Sequence, residues 1–454
     1  MSLGFFRPTY VVALILLSAG LTACTEPEGL ETLEASFATG TPGLGASRLK
    51  SNLPETAYGK RIAQAVHTSP ILAQSNARLR AAQATEEATA GAFVPQLSAG
   101  ITSEATRSGG SFTTGTEPFL RVSQLVYDNG AARHTRTAAR ARVYQGQGER
   151  LEAASAAVLR AVETYSTLQT QRRLLTLAAE NLSAHKELAS QIEERSNSGL
   201  GSTADTLAAK SRLADARTRR VDAQLKVDQA EAQFREIFNL APTTLPSQHT
   251  APLLPLGNEK DIVTNSPRVR SIDAALKAAE SELAASRASR WPSLRLGATG
   301  QESTSGTDPD VTFDLTLNYD LDTGGQRRAA IKVAQARVEE LSAAREALVR
   351  EISRALEFVR ADRTAGVARV KAARAAAKAN ADTVSASREQ FTVGRRSLLE
   401  LLDAQRDYVS AQERAILAVQ ANFLTNYAAL GLTGDILDVF AITPEEVASV
   451  GDGT

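Results

Sequence analysis

Few side chains in this sequence have a type and spacing that could do chemistry. The four histidines are His67, His134, His185 and His249, and none stands in a His-Glu-x-x-His or other metal-ligand spacing. They read as solvated helix or linker residues. Gly324-Gly325 and Gly199-Leu200-Gly201 are not followed by Gly-Lys-Ser/Thr, so they are turn glycines rather than phosphate cradles. Carboxylates are plentiful but interleaved with Arg and Lys, the pattern of ion pairs along helix surfaces. Two of them stand out. Glu400 and Asp403 are three residues apart, on one face of a helix just inside the turn Gly394-Arg395-Arg396-Ser397. Carboxylates in a first helical turn also stabilise the helix dipole, a reading that suits Glu400 well. No nucleophile and base converge anywhere, so an enzyme is not expected.

The bulk composition excludes other classes. Lys plus Arg and Asp plus Glu are both 51, a balance that a nucleic-acid binder, with its basic excess, does not show. Aromatic residues make up only 5% of the chain, while Ala, Glu, Gln, Arg, Leu and Val fill long stretches. Those are helix formers and side chains that let helices approach closely. The one cysteine, Cys24, rules out an internal disulfide. Arg7, the apolar run Tyr10 to Leu17 and the small residues Ser18-Ala19-Gly20 read as a secretory signal, too short to be a permanent membrane span. Leu21-Thr22-Ala23-Cys24 resembles the lipobox of bacterial lipoproteins, which implies a covalent lipid on Cys24. The alternative is an ordinary signal with a coincidental cysteine. Thr25, where an Asp would imply inner-membrane retention, favours the outer membrane. No later segment reads as a transmembrane helix.

The elements that would carry the tip carboxylates come from a duplication. Ser69-Pro70, Pro95, Tyr127-Asp128-Asn129-Gly130, Gly199 and Phe234 return as Ser266-Pro267, Pro292, Leu321-Asp322-Thr323-Gly324, Gly394 and Tyr427, at offsets of 193 to 197 residues. Each repeat reads as helix, strand, strand, long helix, turn, helix. The first helix of each begins at Ser-Pro and stops before Pro95 or Pro292. The apolar period then drops to two. Val311 to Leu321 alternates strictly, and its expected partner is Leu294 to Gly300. The first repeat offers Leu97 to Thr102 and Phe119 to Tyr127, joined by a Ser/Thr/Gly loop. Four strands cannot close a membrane barrel, and an open edge is not tolerated in lipid, so spanning strands would have to be pooled by several chains. Residues 131–198 and 326–393 then run 68 residues each without proline, roughly 100 Å per helix if continuous. Gly146, Gly148 and Gly366 are possible bends. Leu402, Val409, Ile416, Phe423 and Leu430 make a seven-residue seam, the mark of supercoiling helices.

The duplicated plan resembles the TolC family of outer-membrane channels over about residues 60–434, most sharply at Phe391-Thr392-Val393-Gly394-Arg395-Arg396-Ser397-Leu398-Leu399-Glu400-Leu401-Leu402-Asp403-Ala404-Gln405. The resemblance implies a mainly α fold with a small β part, in which long coiled-coil hairpins extend a trimeric twelve-stranded barrel. It implies a homotrimer in the outer membrane, lipid-anchored, with a periplasmic helical extension. Its partners would be a periplasmic adaptor and an inner-membrane transporter, with no nucleic acid and no cofactor beyond the lipid on Cys24. Residues 1–23 would be the signal peptide, 24–60 a lipidated linker, 61–242 and 263–434 the repeats, 243–262 their linker and 435–454 a tail. Glu400 and Asp403 would form stacked acidic rings, which select cations and resist full ionisation. Arg396 and Asp205 would latch the aperture with Phe391 nearby, and Gly199, Gly394 and Arg395 would shape the hairpin turns. The double-arginine tip is most similar to members serving type I secretion of adhesin-like proteins. A drug or metal efflux duct is the first alternative, and a structural periplasmic coiled-coil lipoprotein the second.

Overall fold

A computed structural model of the chain describes residues 29–38, 43–44, 49–108, 110–199, 201–255, 259–301 and 310–451. The signal segment, Cys24, Leu200 and residues 302–309 lie outside the described residues. The helices are α1 Glu31–Phe37, α2 Ala57–His67, α3 Pro70–Ala90, α4 Ala131–Asn197, α5 Thr203–Phe238, α6 Glu259–Thr264, α7 Pro267–Ala288, α8 Gln326–Thr392, α9 Leu398–Thr433, α10 Asp435–Val439 and α11 Pro444–Ser449. The strands are β1 Gln96–Ser108, β2 Ser111–Tyr127, β3 Ser293–Gln301 and β4 Asp310–Asn318. The duplication is visible in the caps. Asp128 accepts the Gly130 and Ala132 N–H groups at the start of α4, and Asp322 accepts those of Arg327 and Arg328 at the start of α8.

The chain divides into two compact units, and each draws on both repeats rather than on one. The first comprises the described part of Met1–Phe37, with Ala77–Glu149 and Arg268–Leu348. It holds one antiparallel sheet in the order β1-β2-β3-β4, with the repeats joined at its centre by the β2–β3 ladder. Beside it, Leu30, which precedes α1, and Leu33 of α1 pack with Ala141 and Tyr144 of α4 and with Ala274 and Ala278 of α7. Gly148 marks a close approach rather than a break: α4 runs through it unbroken, and a Cβ there would stand 2.7 Å from the Ser271 side chain on α7.

The sheet departs from expectation in two places. The expected Ser/Thr/Gly loop of the first repeat is mostly strand, because the β1–β2 ladder runs without interruption from Gln96↔Ser123 to Ser108↔Ser111. Threonine suits a pleated strand as well as a loop, and Gly110, at φ +93°, supplies the turn. In the second repeat β4 ends at Asn318 although the alternation continues to Leu321. Its partner β3 begins at Ser293, directly after Pro292, which has no N–H to give a ladder. Pro118 lies within β2, just outside the stretch that pairs with β3, which begins at Phe119.

The second unit comprises Ala38–Asn76, Arg150–Pro267 and Val349–Thr454. Its centre is aromatic: Tyr58 of α2 meets Tyr165 of α4 edge-on at 5.0 Å, and Phe234 stacks on Phe238 at 4.2 Å. Residues 241–255 of the proline-rich linker form no helix or strand, so their carbonyls need donors from elsewhere. Arg172 donates to Pro242 O, Arg61 to Thr244 O, Tyr165 and Gln169 to Pro246 O, Tyr427 to His249 O and Arg363 to Leu254 O. The expected tail is core instead. Ile436, Leu437, Val439, Phe440 and Val447 are buried, and Asn76 donates to Val447 O and Val450 O. By length and composition α9 passes as a membrane span, which was not expected. Its seam residues Leu402, Val409, Phe423 and Leu430 are nonetheless buried within this unit, and Ile416 is half-buried.

Candidate functional site

The sheet presents two faces of opposite character. The ladders align Leu97, Ala99 and Ile101 of β1 with Val122, Leu120 and Pro118 of β2. Val122 and Leu120 face Ala298 and Gly300 of β3, and Leu296, Ala298 and Gly300 face Leu315, Phe313 and Val311 of β4. This apolar face crosses all four strands and is open: Ile101 is 72% exposed, Phe313 68% and Leu315 64%. The reverse face carries Ser98, Arg121, Thr299 and Thr312 in one row, with Arg295 and Asp314 in rows nearby. Among the described residues the outer edges of β1 and β4 pair with no strand. A sheet greasy on one side, polar on the other and unpaired at both ends is unfinished in water and in lipid.

The second candidate surface is the helical tip. Gly199 and Gly394 end α4 and α8 with the same backbone conformation, φ +74° in both. At the second turn Gly394 N–H donates to Phe391 O and Arg395 N–H to Gln390 O, the paired bonds of a Schellman cap. A side chain at Gly394 would meet nothing within 4 Å, so its glycine is required by conformation alone. Gly394→Ala is therefore expected to cost about 1 kcal/mol of tip stability, read as faster amide exchange at 390–396 with global unfolding unchanged. Below the turns, Ala189 and Ile192 of α4, Ala209 of α5, Phe391 of α8 and Leu398, Leu401 and Leu402 of α9 form one buried cluster. The Arg195 guanidinium stands over the Phe391 ring, 5.3 Å from its centroid.

The expected aperture residues lie around this cluster with partners of their own. Ser397 and Glu400 form a reciprocal capping box at the start of α9, so the helix-end reading of Glu400 describes its contacts. The Ser397 backbone N–H and hydroxyl hold the Glu400 carboxyl below its usual range, with a further contribution from Arg396. Within one protomer that shift is opposite in sign to the one expected for crowded acidic rings. Asp403 pairs with Arg406 at 3.2 Å. Arg396 donates to the Ser387 hydroxyl and stands 3.9 Å from Glu400, while Asp205 is exposed in the first turn of α5. The structure thus does not join Arg396 to Asp205 within the protomer. Arg395 is exposed beside them.

The model of the outer membrane efflux protein family matches residues 62–240 and 260–432, which together make up most of the chain. The chain belongs to that family. Outer membrane efflux protein BepC of Brucella suis is 25% identical over 418 residues, covering 87% of this chain and 90% of BepC. Alkaline protease secretion protein AprF of Pseudomonas aeruginosa is 24% identical over 303 residues, 62% of each chain. The solved structure of the CmeC outer membrane channel of Campylobacter jejuni superposes with a TM-score of 0.79 at 14% identity, covering 88% of this chain and 92% of that one. The protein is accordingly an outer-membrane channel of TolC-like, mainly α fold, and the family is one of channels rather than enzymes.

A buried polar pair in the channel's tip region was not foreseen from the sequence, although Gln405 closes the tip motif. Asn181 of α4 and Gln405 of α9 bond side chain to side chain at 3.2 Å in a buried setting. One turn along α4, His185 is only 8% exposed, not solvated as expected. The signal was present: Asn181, His185, Ala189 and Ile192 follow the helical spacing of a buried stripe. Burial lowers the His185 pKa below its ordinary 6.5, helped by Arg212 and Arg219 and opposed by Asp215. A histidine kept neutral in the fold contributes stability that is present above pH 6.5 and is lost as pH falls from there through the depressed value. The tip is thus expected to loosen in mild acid, and His185→Gln should flatten that part of the profile. A pH dependence of tip protection left unchanged by the substitution refutes the assignment.

Proposed function

We propose that three copies of this chain pool their strands into one twelve-stranded barrel, and that their helices continue it as an exit duct across the periplasm. The sheet carries this reading, because four strands with one apolar face and two unpaired outer edges become complete only beside further copies. A periplasmic adaptor and an inner-membrane transporter would meet the duct at the tip, and a lipid on Cys24 would tether its N-terminus. Glu400 and Asp403 would recur as acidic rings at the mouth, and the Asp205–Arg396 latch would need a neighbouring copy. Purification from outer membranes is expected to give a heat-modifiable trimer that conducts ions in planar bilayers. A monomer without conductance would return the chain to the scaffold reading. In the trimer, removing the charge of Asp205 or Arg396 should raise single-channel conductance, and unchanged conductance in both variants would sink the latch.

The cargo we infer is protein, exported by type I secretion. This rests on the double-arginine tip and on the likeness to a relative named for protease secretion. The likeness to BepC, named for efflux, supports the efflux alternative. Deleting the chain and comparing secreted protein with resistance to drugs and metals separates the two. Loss of a secreted protein with unchanged resistance is the expected outcome.

A further inference from the structure

The polar face of the sheet has an order that a merely wet surface does not require. The ladders stack its residues in rows. Starting from the helix-proximal end, one row holds Leu125, Arg295 and Thr316; the next holds Gln96, Ser123, Gly297 and Asp314; the third holds Ser98, Arg121, Thr299 and Thr312. Beyond it the charges turn acidic: Asp310 closes the row of Gly100, Phe119 and Gln301, and Glu117 stands opposite Thr102. Same-face rows are about 7 Å apart along a strand. Arg295 and Arg121 therefore lie about 13 Å apart along the strands, with Asp314 in the intervening row on the neighbouring β4.

Both guanidinium groups are exposed, and neither is neutralised by an ion pair among the described residues. Arg121 is aimed by its Nε–H, which donates to Thr299 Oγ1 at 3.0 Å and leaves the rest of the fork free. Asp314 is turned aside: its carboxylate accepts the Thr316 hydroxyl at 2.9 Å and lies across Gly297, where a Cβ would collide with it. The Phe119 ring closes over Gly100 one row beyond Arg121 and so stands between Arg121 and Glu117 on β2, in the row that Asp310 closes on β4.

We propose that Arg121 and Arg295 form an anion-binding belt inside the barrel, at the end nearest the helices, that takes oxyanion groups such as carboxylates and phosphates on a passing solute. This rests on the reading of the sheet as part of a pooled barrel whose polar face lines the lumen. Three copies bring six guanidinium groups against three Asp314 carboxylates within two neighbouring row spacings. Arginine rings serve anion pores, and the guanidinium fork suits planar oxyanions. A narrow lumen with low-dielectric walls focuses such a field. Solute leaving the belt then meets the acidic rows, which favour release of an anion outward.

The test uses the full-length trimer in intact outer membranes, probed from outside with two thiol reagents of equal reach, the anionic sulfonatoethyl and the cationic trimethylammonioethyl methanethiosulfonates. Ser98→Cys places a thiol in the Arg121 row, and Thr102→Cys places one beside Glu117. The anion-to-cation rate ratio is expected to be roughly tenfold higher at position 98 than at position 102. R121Q/R295Q should bring the two ratios together, and R121K/R295K should keep them apart, which a purely structural role of Arg121 would not do. Equal ratios at both positions, or a ratio indifferent to the glutamine pair, overturn the belt and leave the barrel standing. If neither reagent reaches Ser98→Cys, the polar face does not line a water-filled lumen, and both the belt and the barrel reading fall.

Discussion

Leu315→Arg is expected to remove the chain from the outer membrane almost completely, while Thr316→Arg, one residue away, is tolerated. Leu315 lies on the apolar face of β4 between Phe313 and Leu317, and Thr316 points to the polar face beside Arg295. An arginine on the lipid face of a barrel costs about 2–4 kcal/mol near the midplane, and the same residue facing the lumen costs little. Three copies multiply the first cost to about 6–12 kcal/mol, comparable with the whole stability of a folded domain. The measurement is the fraction of chain recovered as a heat-modifiable trimer in outer membranes. Equal loss for the two variants would mean that the faces are not divided between lipid and lumen.

Phe391→Ala should open the tip without unfolding the rest. Phe391 is 8% exposed, packs in the cluster that draws on α4, α5, α8 and α9, and carries Arg195 on its ring. Truncating a buried phenylalanine costs about 3–5 kcal/mol. Because the cluster sits where two helices end, that loss appears as local opening. A change of about 3–5 kcal/mol raises the open population by between two and almost four powers of ten. Trypsin cleavage after Arg195, Arg395 and Arg396 follows that population when opening is fast. Cleavage should rise accordingly, with Phe391→Leu restoring most of the protection. Uniform cleavage along the whole chain would instead mean global unfolding.

Much of this was legible from particular residues. The strict alternation of Val311 to Leu321 and the proline and glycine markers fixed four strands and two long hairpins, and α4 and α8 end within a residue of the expected positions. What eluded the sequence is tertiary in origin. Threonine and serine between Ser103 and Pro118 fit a loop or a strand equally well, and only the partner strand decides. His185 looks solvated until the neighbouring helices cover it. Residues 435–454 carry no long period, so nothing local reveals that Ile436 to Val450 return to fill the core. At the tip, Glu400 was legible as a cap. The partners of Arg396 were not, because an arginine that meets Ser387 on one helix and Glu400 on the next is assigned by geometry and not by spacing.

The two repeats have drifted far apart in identity, yet α4 and α8 are 67 residues each and α5 and α9 are 36 each. The tip cluster explains the difference between free spelling and frozen length. Ile192, Ala209, Phe391 and Leu401 come from all four helices, so a heptad gained by one hairpin alone would carry half the cluster past the other half. Length can therefore evolve only by matched steps, sevens inserted in both repeats and in both arms of each. The hairpins act as a ruler with four scales that must be recut together. A bacterium whose envelope deepens would be expected to lengthen such a chain in paired increments, with substitutions accumulating freely between them.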